Sequence, residues 1–337
     1  MPDKEPDTMD KVPDTIGAAA PGDGGHAGSP RRKHKKPRIV ESAEYVFARL
    51  GVWLVEHVPP RAACWMAKSI GSLAYLLMRK RRKTAIGNIL RAKVAKTPKE
   101  ARRIARASMQ SIALTVAESF IYPRLADQAA HLVMEVPDSA RKAIEESKCG
   151  FICFSGHFGN WEVGARAMSS LRPVTGIARP MNNKRVQELM DRKKMRADFE
   201  TIDKHTERPM DIVRALKRNR ALAILSDQHA RGDSAAVVDF FGRPAKTYTT
   251  PVVMQQLTGA PIFFSYALRV GFMRFRVVFS EPLYYKVSRQ NKAADIQAAT
   301  QDLSKKLEDV IRQHPEQYLW AHRRWKYAER LEAQSPV

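Results

Sequence analysis

From Phe151 to Gly164 the chain reads Phe-Ile-Cys-Phe-Ser-Gly-His-Phe-Gly-Asn-Trp-Glu-Val-Gly. A short apolar run leads into a glycine-bracketed turn that carries His157, and a helical pattern starts near Asn160. In open α/β sheets, reactive groups gather beyond the carboxyl ends of strands, which is where this histidine stands. His157 and Glu162 are five residues apart, and on one continuous helix that spacing would turn them roughly 140° away from each other. With His157 in the turn and Glu162 in the first helical turn, the imidazole can instead fold back onto the carboxylate. Glu162 would hold the ring's Nδ1–H and leave Nε2 free to take a proton, the logic of a base with its orienter. Ser155 sits two residues before His157, but its surroundings are not a Gly-x-Ser-x-Gly elbow, so a hydroxyl of the substrate is the expected nucleophile. Taken alone, such a pair is also what a surface histidine bonded to a helix N-terminal glutamate looks like.

The elements that must position this pair follow from hydrophobic spacing. Apolar runs at Phe151–Phe154, Val174–Ala178, Ala221–Leu225, Ile262–Leu268 and Phe275–Phe279 read as strands. Helical patterns near 160–170, 183–197, 207–219 and 249–258 separate them, which implies parallel crossovers and an α/β layered domain. Arg269-Val270-Gly271-Phe272 reads as a hairpin between the last two strands, so the sheet is expected to be mixed, mostly parallel and flanked by helices. A long amphipathic helix is expected over 292–313, and another from Thr97, a capping residue ahead of Pro98 and Glu100, to about Ile121.

The rest of the chain divides into an N-terminal tail over 1–39, a helical region over 40–122 and the α/β domain over 123–330. Residues 1–30 lack aromatics and contain Pro-Gly-Asp-Gly-Gly, a composition expected to stay disordered. A basic block, Arg31-Arg32-Lys33-His34-Lys35-Lys36-Pro37-Arg38, follows. No run of about 18 charge-free apolar residues exists, so a clean membrane span fails the length test. The apolar stretches 43–58 and 62–78 come close, and the second runs directly into Arg79-Lys80-Arg81-Arg82-Lys83. Two readings stand: helices lying in a bilayer with cations on anionic headgroups, or a buried helix pair with a solvated basic stop.

Composition narrows the function classes. The 337 residues carry 58 Lys plus Arg against 35 Asp plus Glu, a net charge of +23. That excess calls for a polyanionic partner: an anionic membrane, an acidic protein or nucleic acid. The aromatics do not interleave with the cations as a base-stacking platform requires, which argues against a nucleic-acid-binding protein. Arg192-Lys193-Lys194-x-Arg196 and Lys217-Arg218-x-Arg220 are the helix faces or ends that offer positive charge. Three cysteines cannot make a disulfide framework, and Cys149 and Cys153 straddle an apolar strand as packing residues. With no zinc spacing, phosphate loop or dinucleotide fingerprint, no metal or cofactor is expected.

His157-x-x-x-x-Glu162 resembles the His-x4-Asp/Glu signature of the glycerolipid acyltransferase superfamily, and the wider sequence resembles its late lipid A acyltransferase branch. Arg82-x5-Asn88-Ile-Leu, Gly176-Ile-Ala-Arg179-Pro-Met-Asn182-Asn183, and Leu222-x-x-Leu225-Ser-Asp227-Gln228 with Asp239-Phe-Phe-Gly242-Arg-Pro-Ala resemble the family's successive blocks. Pro315-Glu-Gln-Tyr-Leu-Trp320-Ala-His322-Arg-Arg324-Trp-Lys resembles its C-terminal signature. The chain departs from the pattern in lacking a glycine within 193–200 and in carrying His229 after Asp227-Gln228.

The resemblance implies transfer of a fatty acyl group from a thioester to a lipid A precursor's hydroxyl at the cytoplasmic face of a bacterial inner membrane. The donor would be acyl carrier protein and the acceptor a phosphorylated lipid, on an anionic membrane surface. His157 would be the base and Glu162 its orienter. Arg179 would stabilise the oxyanion or hold a phosphate, and Asn182, Asn183, Asp227 and Gln228 would line the substrate. For Asn182 and Asn183, turn and helix-capping roles stay open. Sister branches of the superfamily acylate lysophospholipids or phosphoinositide mannosides, so another lipid acceptor is the competing expectation.

Overall fold

The computed structural model describes residues 37–125, 132–194, 198–203, 208–232 and 235–334. The expected disordered tail and most of the basic block therefore lie outside the described residues. A seven-stranded sheet forms the centre, in the order β1 (Leu132–Glu135), β9 (Arg274–Phe279), β8 (Ile262–Gly271), β2 (Phe151–Ser155), β5 (Ala221–Leu225), β3 (Val174–Ala178), β4 (Phe199–Asp203). From β8 to β4 all neighbours are parallel, while β8 and β9 form the expected antiparallel hairpin and β1 runs parallel to β9. β6 (Ala235–Asp239) and β7 (Pro244–Tyr248) make a separate antiparallel hairpin.

Alternation along the strands gives the sheet two buried faces. Phe151 and Cys153 of β2 pack with Phe263 and Ala167, against α5 (Asp138–Glu146) and α6 (Trp161–Met168). Ile152 and Phe154 point the other way. They join Leu222, Ile224 and Phe264 with residues of α8 (Pro209–Lys217), α9 (Thr250–Thr258) and α10 (Lys292–Gln313). After β2 the chain moves outward to β3 through α6, and after β5 it returns across the sheet to β8 through α9. The two neighbouring strands thus send their connections in opposite directions, and such a switch opens a crevice at their carboxyl ends.

Four helices precede the sheet: α1 (Arg38–His57), α2 (Pro60–Leu77), α3 (Arg79–Arg91) and α4 (Pro98–Leu125). Thr97 caps α4 through the Glu100 N–H at 3.2 Å, and the Glu100 carboxylate takes the Lys96 N–H at 2.8 Å. Small residues draw α2 against α4: Ala63, Cys64, Ala67 and Gly71 are its buried positions, and a Cβ on Gly71 would stand 2.6 Å from the Gln110 backbone. Its large apolar side chains face outward, so of the two readings a buried helix pair does not hold: Trp65, Ile70, Leu73, Leu76 and Leu77 are exposed, as are Val46, Phe47, Leu50 and Trp53 of α1. No helix among the described residues is long and apolar enough to cross a membrane. The remaining helices, α7 (Lys184–Lys194) and α11 (Lys326–Gln334), follow β3 and close the fold respectively.

A candidate active site at the ends of β2 and β5

Residues 156–160 turn the chain from β2 into α6, and glycine is required twice. A Cβ on Gly156 would meet Leu307 at 2.8 Å and crowd Asp227; Gly159 has φ +59°, with the Ala267 carbonyl oxygen 1.9 Å from where its Cβ would be. Four bonds from distant segments fix the turn. The His157 carbonyl accepts from the Leu319 N–H at 3.0 Å, and the Gly159 N–H donates to the Gln317 carbonyl at 3.0 Å. The Asn160 N–H donates to the Ala267 carbonyl at 2.8 Å, and the Thr115 hydroxyl donates to the Gly159 carbonyl at 3.0 Å.

Asn160 also caps α6, accepting the Val163 N–H at 3.0 Å while its amide donates to Glu118 at 2.8 Å. Glu118 and Arg269 form a bidentate pair, both bonds 2.6 Å, and Ser111 and Thr115 satisfy further guanidinium donors. This pair is buried, so its value lies in completeness: losing one partner would strand a desolvated charge.

The carboxylate found at the imidazole's Nδ1 is that of Asp227, with Oδ1 at 2.7 Å. The expectation that Glu162 holds this nitrogen is corrected, for a reason of strand order. β5 lies directly beside β2, so the residue just past its end arrives alongside His157 from 70 positions away. Glu162 occupies the first turn of α6, partly buried. Asp227 is 2% exposed and His157 21%, so the pair is anchored at one end and open at the other. Burial raises the Asp227 carboxyl's affinity for a proton, but the neighbouring His157 charge, its hydrogen bonds and Arg324 outweigh it, leaving the carboxyl below its ordinary range. With the carboxylate ionised, Nδ1–H donates to Asp227, and Nε2 is the ring nitrogen on the other side of the imidazole. The Gln228 amide nitrogen lies 3.3 Å from Nε2, and the Trp161 ring stands edge-on to the imidazole with centroids 5.1 Å apart.

Behind Asp227 the C-terminal segment supplies a buried wall. Burial and then the Asp227 carboxylate push the Tyr318 phenol well above its ordinary value, so it stays neutral. The buried Arg324 guanidinium donates to the carbonyls of Lys246 (2.6 Å) and Gln228 (3.4 Å) and to Thr247. Asn88 of α3 clamps the same segment through the Trp320 and His322 carbonyls, each at 2.8 Å. Tyr318, Arg324 and Asn88 carried no individual role in the sequence, because their partners (the Asp227 carboxylate, the Thr247 hydroxyl and backbone carbonyls) lie far along the chain, where no spacing rule reaches.

The other expected site residues divide. Arg179 is exposed just past β3, on the same carboxyl edge but one strand beyond β5. The Asn183 side chain is engaged in structure: its carbonyl accepts the Arg185 and Val186 N–H groups, capping α7, and its amide donates to the Glu41 carbonyl at 2.8 Å. Asn182 is exposed on an open apolar groove between α1 and the β3–α7 turn, which Ile39, Phe47, Met181 and Val186 also line. The cationic group at 217–220 is placed at the amino end of β5, where Arg218 and Arg220 pair with Glu200 at 2.7 and 3.1 Å. The side chains of the other group, at 192–196, lie outside the described residues.

Residues 32–327 match the family model of the bacterial lipid A biosynthesis acyltransferases. A lipid A biosynthesis palmitoleoyltransferase of Escherichia coli (strain K12) is 25% identical over 281 residues, covering 82% of this chain and 89% of that protein. A lipid A biosynthesis acyltransferase of Shigella flexneri shows the same identity and coverage. A lipid A biosynthesis lauroyltransferase of the same E. coli strain is 24% identical over 282 residues, with 82% and 89% covered. In class the protein is an O-acyltransferase. It belongs to the bacterial lipid A biosynthesis acyltransferase family.

Proposed function

We propose that this chain moves a fatty acyl group from the thioester of an acyl carrier protein to a hydroxyl of a phosphorylated lipid A precursor, at the cytoplasmic face of the inner membrane. The observation that carries the reading is the bond between His157 Nδ1 and the buried Asp227 carboxylate, with Nε2 facing the Gln228 amide. The acceptor hydroxyl takes the place of the Gln228 amide at Nε2 and gives up its proton as its oxygen attacks the thioester carbonyl. The resulting imidazolium is stabilised by the Asp227 carboxylate. When the tetrahedral intermediate collapses, the C–S bond breaks and Nε2–H returns the proton to the departing thiolate, so His157 ends as it began.

Arg179 lies on the edge where an oxyanion or an acceptor phosphate would sit, and Glu162, in the first turn of α6, completes the His-x4-Glu signature with His157. Asn182, with the groove beside it, suits an acyl chain of donor or acceptor. The outward apolar side chains of α1 and α2, followed by the five cations that open α3, support seating on an anionic bilayer surface.

The test is mass spectrometry of lipid A from an acyltransferase-deficient bacterial host expressing this chain or His157→Ala. The expected result is a gain of one fatty acyl group with the intact chain and none with the variant. A gain that survives His157→Ala would overturn the mechanism, and no gain from well-expressed intact protein would redirect the reading to another lipid acceptor.

A further inference from the structure

Three cations stand together on the surface next to the reactive imidazole without taking part in its geometry. Arg231 is exposed three residues after Gln228, within about 11 Å of chain. Lys326 and Arg330 are spaced i, i+4 on α11 and so share one helix face. Bonds along β7 knit these positions together. The Ala230 N–H donates to the Lys246 carbonyl at 3.1 Å, and the Lys246 ammonium lies 5.2 Å from the centre of the Tyr327 ring on α11. Arg243 at the start of β7 pairs with Glu332 near the end of α11.

Among the described residues, none of the three cations has a carboxylate within ion-pair distance; Glu329, the acid between the two helix positions, is bonded to Arg323. The crowding is strong enough to lower the Lys326 ammonium, with Arg330 the largest cause, and burial together with Lys326 and its neighbours drives the adjacent His229 down to about 4. Like charges held this close destabilise the free protein, and a polyanion relieves them.

Resting on the acyl-transfer reading above, we infer that Arg231, Lys326 and Arg330 form the docking surface for an acidic carrier protein, the one that delivers the thioester to His157. Two observations favour a protein partner over lipid headgroups. Bilayer seating couples cations to exposed apolar side chains, and this patch offers one large apolar side chain, Leu331, whereas α1 and α2 expose many. The patch also borders Gln228, which touches Nε2, so a partner seated on it has only a short span for its prosthetic arm to cover. The cations at 217–220 are placed at the amino end of β5, the end opposite Asp227, and two of them, Arg218 and Arg220, are already paired with Glu200.

The experiment uses the full chain and a triple variant, Arg231→Glu/Lys326→Glu/Arg330→Glu, with matching thermal midpoints as the check on folding. Affinity for acyl-loaded carrier protein and transfer from both that donor and acyl-pantetheine are measured. The expected result is carrier affinity weakened about tenfold or more, with its salt dependence reduced and transfer from acyl-pantetheine unchanged. Restoration by a carrier whose facing acids are changed to lysine would add direct support. Unchanged carrier affinity would overturn the inference. So would an equal loss with both donors, or weakened binding to anionic vesicles with carrier affinity intact. If the unaltered chain transferred nothing from either donor while carrier binding still depended on the three cations, the docking surface would stand and the acyl-transfer reading would fall.

Discussion

Trp65 on α2 is 70% exposed and Trp320 in the C-terminal segment is 1% exposed, although both stand close to runs of cations. The difference comes from what surrounds the tryptophans. In α2 the positions facing α4 are Ala, Cys and Gly, so the helix backbone fills the contact and the bulky side chains are left outside. In the C-terminal segment the aromatics are the contact: Trp320 and Trp325 pack on Phe241, and their indole N–H groups donate to the carbonyls of Pro315 and Phe240 at 2.7 and 3.0 Å. Small-residue spacing and donor satisfaction separate the two regions: one leaves its bulky side chains exposed, while the other closes against the turn that carries His157.

That contrast sets a graded series of tests. The largest effect is expected at the pair the C-terminal segment encloses. Asp227→Asn should lower kcat by roughly 10³–10⁴, because an amide no longer fixes the Nδ1–H tautomer, with thermal stability largely kept. Loss confined to KM would contradict that role. Next, Trp325→Ala should cost about 3–5 kcal/mol in denaturant unfolding, the range for deleting a fully buried indole. Glu118→Ala should cost about as much by leaving the Arg269 guanidinium buried and unpaired. The matching change outside, Trp65→Ser, should stay within about 0.5 kcal/mol in the same assay while weakening sedimentation with anionic vesicles. Equal costs for Trp65 and Trp325 would erase the distinction between the regions.

The smallest effect concerns pH. Burial, with Arg324 and His157 opposing the attraction of Asp227, lowers His322 to about 4, and His229 is also near 4. Unfolded histidines take up protons near pH 6.5, whereas these folded ones do not until about 4. The stability they contribute is therefore present above pH 6.5 and lost as the pH falls toward 4. The thermal midpoint should decline across that window, and His322→Gln should flatten the decline. Asp227 acts further down: its lowered folded value means its contribution fades only in the acid range below an ordinary aspartate.

Much of the frame was legible because five strands are mostly apolar runs, and the helices over 250–258 and 292–313 carry clear periodicity. β1 and β4 were not, since Leu-Val-Met-Glu and Phe-Glu-Thr-Ile-Asp are edge strands with charged positions. β6 and β7 were hidden by small and polar residues such as Ala235, Ala236, Lys246 and Thr247. His157 announced itself through its glycine-bracketed turn. The partner of Nδ1 did not, because local spacing favoured Glu162, and only the insertion of β5 between β2 and β3 brings Asp227 alongside. Sequence order would have made β3 the neighbour of β2.

The bond between the Leu319 N–H and the His157 carbonyl has a temporal meaning. The ribosome makes the loop that carries His157 about 160 residues before the segment that holds it, a delay of about 8–30 s at 5–20 residues per second. Throughout that interval the nascent chain can form β2 but lacks the buttress that completes the turn. A chain that stops short of Leu319 therefore lacks one of the four bonds that fix the turn carrying His157.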